Sequence, residues 1–116
     1  MDSRRCQAHP PVCGRYQRAA ELLGRRWSAA VIRATLDGPR RFTEIRGSVD
    51  GISARLLAER LRELEAAGLM ERRERGAAVE YRLTPKGEAL SRVVREIEAW
   101  VAAWDDDPED GQIRSL

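Results

Sequence analysis

Residues 51 to 69 read GISARLLAERLRELEAAGL, and the spacing within them decides the architecture. Leu57, Leu61 and Leu64, joined by Leu56, recur at intervals of three and four, the period of a helix buried along one stripe. Ser53 precedes the first periodic residue, where a side-chain oxygen can accept from the free amides of a helix start. Gly68 supplies a stop. The spacing therefore predicts a helix over 53–68 with its leucines inward. The opposite face presents Ser53, Ala54, Arg55, Ala58, Glu59 and Arg62. Small side chains at 54 and 58 let the backbone approach a flat partner closely. A salt-bridged surface helix or a coiled-coil strand would show a similar polar face, so the helix alone leaves its purpose open.

Its neighbours narrow the choice. Downstream, LMERRER and VEYRL, joined by Gly76-Ala77-Ala78, read as a β-hairpin. Thr84-Pro85 then offers a cap and a first-turn proline for a long helix. Leu90, Val93, Val94, Ile97, Trp100, Val101 and Trp104 carry its apolar stripe. Upstream, Tyr16, Ala19, Ala20 and Leu23 form a helical pattern from Arg15 that Gly24 stops. A second helix begins near Trp27 or Ser28, draws on Val31, Ile32 and Leu36, and is expected to run to Gly38-Pro39. A short third helix, with Thr43 as N-cap, passes through Ile45 towards Gly47. Coiled-coil heptads do not stop after two turns at a hairpin. Three helices closed by a hairpin make a mainly α (α+β) fold, a winged helix-turn-helix with a two-stranded β-wing and a long C-terminal dimerisation helix. The expected division is an N-terminal arm over 1–14, the folded domain over 15–104, and an acidic, disordered tail over 105–116.

The chain has 116 residues, enough for one core. Its formal charge of +2 hides an asymmetry. The stretch after residue 104 has five acids against one base, which leaves +6 on the preceding residues. Lys86 is the only lysine, so those bases are nearly all arginine, whose planar fork suits phosphates and base edges. A GC-rich coding sequence raises arginine as well, so the composition alone is ambiguous. No apolar run is long enough to span a bilayer, and no signal-peptide pattern follows the basic start. The reading is cytoplasmic, with no membrane partner.

Within this frame the 53–68 helix would enter the major groove of double-stranded DNA, with Arg55 in the first turn and Arg62 two turns on. Glu59 would accept from a cytosine, or pair with Arg55 or Arg62. Arg40 and Arg41 are candidate phosphate clamps, as is the helix start at Thr43. The wing arginines Arg72, Arg73 and Arg75 are placed for backbone or minor-groove contact, although alternating charge also protects an edge strand. The terminal stripe is too aromatic for a small core to hide. Tyr16, Leu23, Val94, Ile97, Trp100, Val101 and Trp104 are therefore assigned to a homodimer interface, or to an effector pocket within it.

The two cysteines, Cys6 and Cys13, are expected to be free thiols in a cytoplasmic chain. Cys13 stands two residues before Arg15, where a helix N-terminus favours the thiolate and hence redox sensing. Cys6, His9 and Cys13 lack an evident fourth ligand, so no metal and no cofactor are expected. His9 is the only histidine, and no rigid element carries paired carboxylates beside a base, so an enzyme is not expected.

Four stretches in order, GRRW (24–27), DGPRRFTEIR (37–46), GISARLLAERLRELEAAGL (51–69) and VEYRLTPKG (79–87), resemble the HxlR-type regulators, relatives of the MarR group. The resemblance covers about Cys13 to Trp104. It implies a bacterial winged-helix dimer that binds a pseudo-palindromic operator, most often as a repressor. It also implies sensing of electrophiles or oxidants at a cysteine before the first helix, the position of Cys13. That family commonly has Cys-Pro, whereas this chain has Cys13-Gly14. The family wing is longer, with an arginine before VEY where this chain has Ala78. The expected function is a DNA-binding transcriptional regulator. The alternatives are control by a non-covalent small ligand at the dimer interface, or a protein-interaction module without DNA binding.

Overall fold

The computed structural model describes residues 12–104. In chain order the elements are α1 (Gly14–Gly24), α2 (Ser28–Ala34), β1 (Arg40–Arg41), α3 (Phe42–Ser48), α4 (Ala54–Ala66), β2 (Met70–Arg75), β3 (Ala78–Leu83) and α5 (Pro85–Trp104). The sheet is antiparallel in the order β1-β3-β2. The acidic tail, Cys6 and His9 lie outside the described residues.

The α4 helix forms as its leucine spacing requires. The Leu56 N–H donates to Ser53 Oγ at 3.1 Å, the expected N-cap bond. Leu57, Leu61 and Leu64 are buried against Val31 and Ile32 of α2 and Ile45 of α3. At its end Gly68 takes φ +78°, and the Leu69 N–H reaches back to the Leu64 carbonyl at 2.9 Å, closing a Schellman turn. Leu69 and Met70 then re-enter the core.

Three details differ from the sequence expectation. First, α2 ends at Ala34 rather than at Gly38-Pro39. The Thr35 hydroxyl donates to the carbonyls of Val31 and Ile32, at 3.4 and 3.0 Å, and its N–H bonds Ile32 in a tightened turn. Side-chain competition for backbone acceptors thus ends the helix early. Second, the two-stranded wing is extended at its base. Arg40 and Arg41 pair with Tyr81 and Glu80, adding a third, two-residue strand. A pair so short has no period to read; only the meeting with β3 makes it a strand. Third, Arg41 rather than Thr43 is the N-cap of α3, and its N–H donates to Glu44 Oε1 at 2.8 Å. The hairpin forms, with Gly76-Ala77 as a two-residue loop and Ala78 already paired to Arg75.

The start of α5 is joined closely to the end of α4. Lys86 Nζ donates to Ala67 O (3.0 Å), Thr84 Oγ1 to Gly68 O (2.6 Å) and the Thr84 N–H to Leu69 O (3.1 Å). Three carbonyls beyond the helix are thereby satisfied. Gly87 makes room for this approach, since a Cβ there would stand 2.0 Å from Leu69 O. Farther along, Arg33 Nε donates to Glu98 Oε2 at 2.6 Å, tying α2 to α5. That carboxylate holds the guanidinium pKa above its ordinary value.

Candidate nucleic-acid interface

The turn from Val49 to Ile52 joins α3 to α4, with Val49 and Ile52 buried beneath it and Gly51 at φ +91°. This pair is the helix-turn-helix unit. With the leucines turned inward, Ser53, Arg55, Glu59 and Arg62 are exposed, and Ala54 and Ala58 are half-buried between them. None of the six residues assigned to the polar face is buried, and Arg55, Ala58, Glu59 and Arg62 lie on one arc of the helix.

Glu59 does not pair with Arg55 or Arg62 as the spacing allowed. Its Oε1 lies 3.4 Å from Arg60 Nη1. Arg60 is the residue that sequence reasoning passed over, since it is only 7% exposed. Its Nε donates to Arg26 O at 2.8 Å, and Nη1 to both Glu63 oxygens at 3.2 and 3.3 Å. The signal was present: position 60 follows Leu57 by three and precedes Leu64 by four, which puts it on the buried arc of the wheel.

The expected clamps are divided by the pleat. Arg40 shares a sheet face with Tyr81 and Arg41 shares the other with Glu80. Arg40 is half-buried, and its Nε donates to Ala34 O at 3.3 Å, so it caps α2. Arg41 is exposed, in one row with Glu80 and Arg73. Thr43 is exposed in the first turn of α3, but Glu44 already brings a carboxylate to that helix start. Arg73 and Arg75 are exposed on the wing. Arg72 faces Glu74 at 3.8 Å, and Arg82 is bonded to Glu71 at 2.7 Å.

The terminal stripe splits. Val94 is buried in the chain's own core at 4% exposure, which corrects its assignment to an interface, and Leu23 packs against the core from α1. Ile97, Trp100, Trp104 and Tyr16 remain exposed, at 46, 51, 72 and 63%, with Val101 half-buried. Val12 and Val93 join them. A groove of about 770 Å³ adjoins this set at Val93, between α1, the end of α4 and the start of α5. Its walls include Leu22, Leu69, Leu90 and Val93, with Arg18 and Lys86, and not the tryptophans.

Cys13 is the N-cap residue of α1, its carbonyl accepting from the Gln17 N–H at 3.0 Å. It is disulfide-bonded, contrary to the expected free thiol. The expectation was argued from compartment, which bears on redox equilibrium and not on whether a second sulfur lies within reach.

A short helix, a turn, an exposed arginine-bearing helix and a three-stranded wing define a winged helix-turn-helix protein. The chain belongs to the HxlR-like helix-turn-helix family, which it matches over residues 22–109. It is 44% identical over 92 residues to the HTH-type transcriptional regulator YodB of Bacillus subtilis, covering 77% of this chain and 82% of YodB. To YvaP of the same organism, also an HTH-type transcriptional regulator, it is 39% identical over 98 residues, 82% of this chain and 91% of YvaP. Among solved structures, reduced YodB superimposes with a TM-score of 0.72 at 39% identity, covering 83% of this chain and 97% of that one. YodB has also been solved quinone-bound, with a TM-score of 0.70 at 41% identity over 80% of this chain and 100% of that one. The redox regulator HypR in its oxidised form gives 0.74 at 30% identity, over 80% and 99%. YodB and YvaP are transcriptional regulators, and HypR is a redox regulator. No helix among the described residues is long and apolar enough to cross a membrane.

Proposed function

We propose that this chain is a cytoplasmic, homodimeric transcriptional repressor whose α4 helices enter successive major grooves of a pseudo-palindromic operator. The observation that carries the reading is the exposed face of Ser53, Ala54, Arg55, Ala58, Glu59 and Arg62 on a helix whose other face is locked by Leu57, Leu61 and Leu64. Arg41, Arg73 and Arg75 flank it as backbone contacts. The exposed apolar side chains of α1 and α5 support pairing of two copies, which would set the reading heads roughly 34 Å apart. Arginine–phosphate contacts would dominate affinity and make it steeply salt-dependent. Arg55→Ala and Arg62→Ala are each expected to weaken duplex binding, by about 1–3 kcal/mol where the arginine reads a base edge, and to flatten the salt slope by about one where it meets phosphate. Unchanged affinity and slope for both variants in a shift assay would remove α4 from the interface. No retention of any duplex at low salt would favour the protein-interaction alternative.

The trigger we propose is reversible conversion of Cys13 between thiol and disulfide by an external oxidant or reductant, or alkylation of its thiol by an electrophile. Support comes from its place at the head of α1, its bonded state here, and the redox and quinone-bound relatives. A second trigger has its own observation. The groove beside α1 combines apolar walls with two cations, Arg18 and Lys86, and fits a small apolar anion. Thermal stabilisation by aromatic carboxylates, lost in Arg18→Ala, would separate the two.

A further inference from the structure

We propose that Arg60 is a positioning residue for DNA recognition: it sets the rotation of α4 through a clasp to the turn between α1 and α2. The inference rests on the reading of α4 as the DNA-contacting helix and goes beyond it, because Arg60 itself faces away from the groove.

A buried guanidinium is expensive to desolvate, and an apolar side chain on that flank of α4 would avoid the penalty. What the arginine adds is direction. Its Nε is bonded to the Arg26 carbonyl at 2.8 Å, a contact 34 residues away along the chain. Its Nη1 is bonded to Glu63, and the same carboxylate holds Arg25 Nη2 at 3.2 Å. Glu63 thus bridges one arginine of the turn and one of the helix. The turn is itself well defined: Trp27 sits at φ +80°, the Ser28 N–H bonds Arg25 O at 3.0 Å, and the Arg26 guanidinium lies 5.0 Å from the Trp27 ring centre. Trp27 also reaches the approach to α4, for its Cη2 lies 3.5 Å from where a Cβ on Gly51 would stand. One turn therefore lies against the segment that leads into α4 and bonds α4 at its middle.

Two such attachments oppose rotation of the helix about its own axis. A rotation of about 20° would carry a side-chain tip about 6 Å from that axis through roughly 2 Å. Hydrogen bonds to base edges tolerate a few tenths of an ångström, whereas attraction to phosphates falls off slowly with distance. Loosening the clasp should therefore reduce sequence discrimination while leaving non-specific affinity in place.

The test uses the full chain and two duplexes: one selected from a random pool by the wild-type protein, and a scrambled duplex of equal length. Glu63→Gln and Arg60→Met are expected to lower affinity for the selected duplex about ten-fold, the scale of one lost charged hydrogen bond. Affinity for the scrambled duplex and its salt slope should stay within about two-fold. Arg60→Lys, which keeps the charge and one donor, should recover part of the discrimination. For Glu63→Gln a simple charge argument predicts the opposite, tighter binding after loss of an anion. Should Arg60→Met fail to fold by far-UV circular dichroism, Glu63→Gln decides, since its side chain is partly exposed. An unchanged ratio of selected to scrambled affinity, or tighter selected binding in Glu63→Gln, overturns the proposal. Wild-type protein that retains neither duplex would overturn the DNA-binding reading first, and this inference with it.

Discussion

Replacing Gly87 with alanine tests whether the close approach of α5 to the end of α4 is as tight as described. Gly87 lies in the first turn of a 20-residue helix, where propensity alone favours alanine by up to about 1 kcal/mol. The tertiary structure predicts the opposite sign. A Cβ at 87 would lie 2.0 Å from Leu69 O, 3.0 Å from its carbonyl carbon and 3.1 Å from Leu83 Cδ2. The nearest atoms are backbone, so α5 must move away as a body. That movement strains a packed junction, which costs about 1–3 kcal/mol. It also endangers the Thr84 N–H bond to Leu69 O and the Thr84 Oγ1 bond to Gly68 O, each worth about 1 kcal/mol. Against the propensity gain, the net expectation is destabilisation of about 2–4 kcal/mol. Urea unfolding at one fixed protomer concentration measures it, with Gly47→Ala in α3 as the control. A Cβ at position 47 would meet nothing within 4 Å beyond its chain neighbours and its own helix backbone, so alanine there should be neutral or stabilising by up to about 1 kcal/mol. If Gly87→Ala proves as stable as Gly47→Ala, the junction is looser than these distances require and glycine is not needed at 87.

Ser28 buries its hydroxyl at 1% exposure without a hydrogen-bond partner, so Ser28→Ala should be neutral or stabilising by up to about 1 kcal/mol in the same assay. On the proposed pairing through α1 and α5, a double substitution Ile97→Glu and Trp100→Glu, on side chains exposed in the protomer, should leave the far-UV spectrum intact and shift sedimentation towards the monomer. An unaltered sedimentation coefficient would move the interface elsewhere. Cys13→Ser should erase any difference in duplex affinity between reducing conditions and quinone or diamide treatment; a retained response would transfer sensing to another group.

The leucine period of α4, its Ser53 cap and its Gly68 stop were legible because each is a local rule acting within one or two turns. The same holds for the hairpin and for Thr84-Pro85. The exposed polar face of α4 was legible too, as the complement of the buried stripe. What escaped were features created by elements meeting. Arg40 and Arg41 look alike as neighbours in sequence, yet the pleat sends them to opposite faces and gives one of them to the end of α2. Val94 belongs to the same helical stripe as Ile97, but only packing against the helices beneath assigns one to the core and leaves the other exposed.

By itself, then, the sequence determined the order of the helices and the hairpin, the inward face of α4 and the family, because periodicity and capping depend on residues within a few positions of one another. The third strand, the requirement for glycine at 87 and the buried role of Arg60 were decided by tertiary structure alone. Each depends on a contact between segments distant along the chain: Arg40 with Tyr81, Gly87 with Leu69, Arg60 with Arg26.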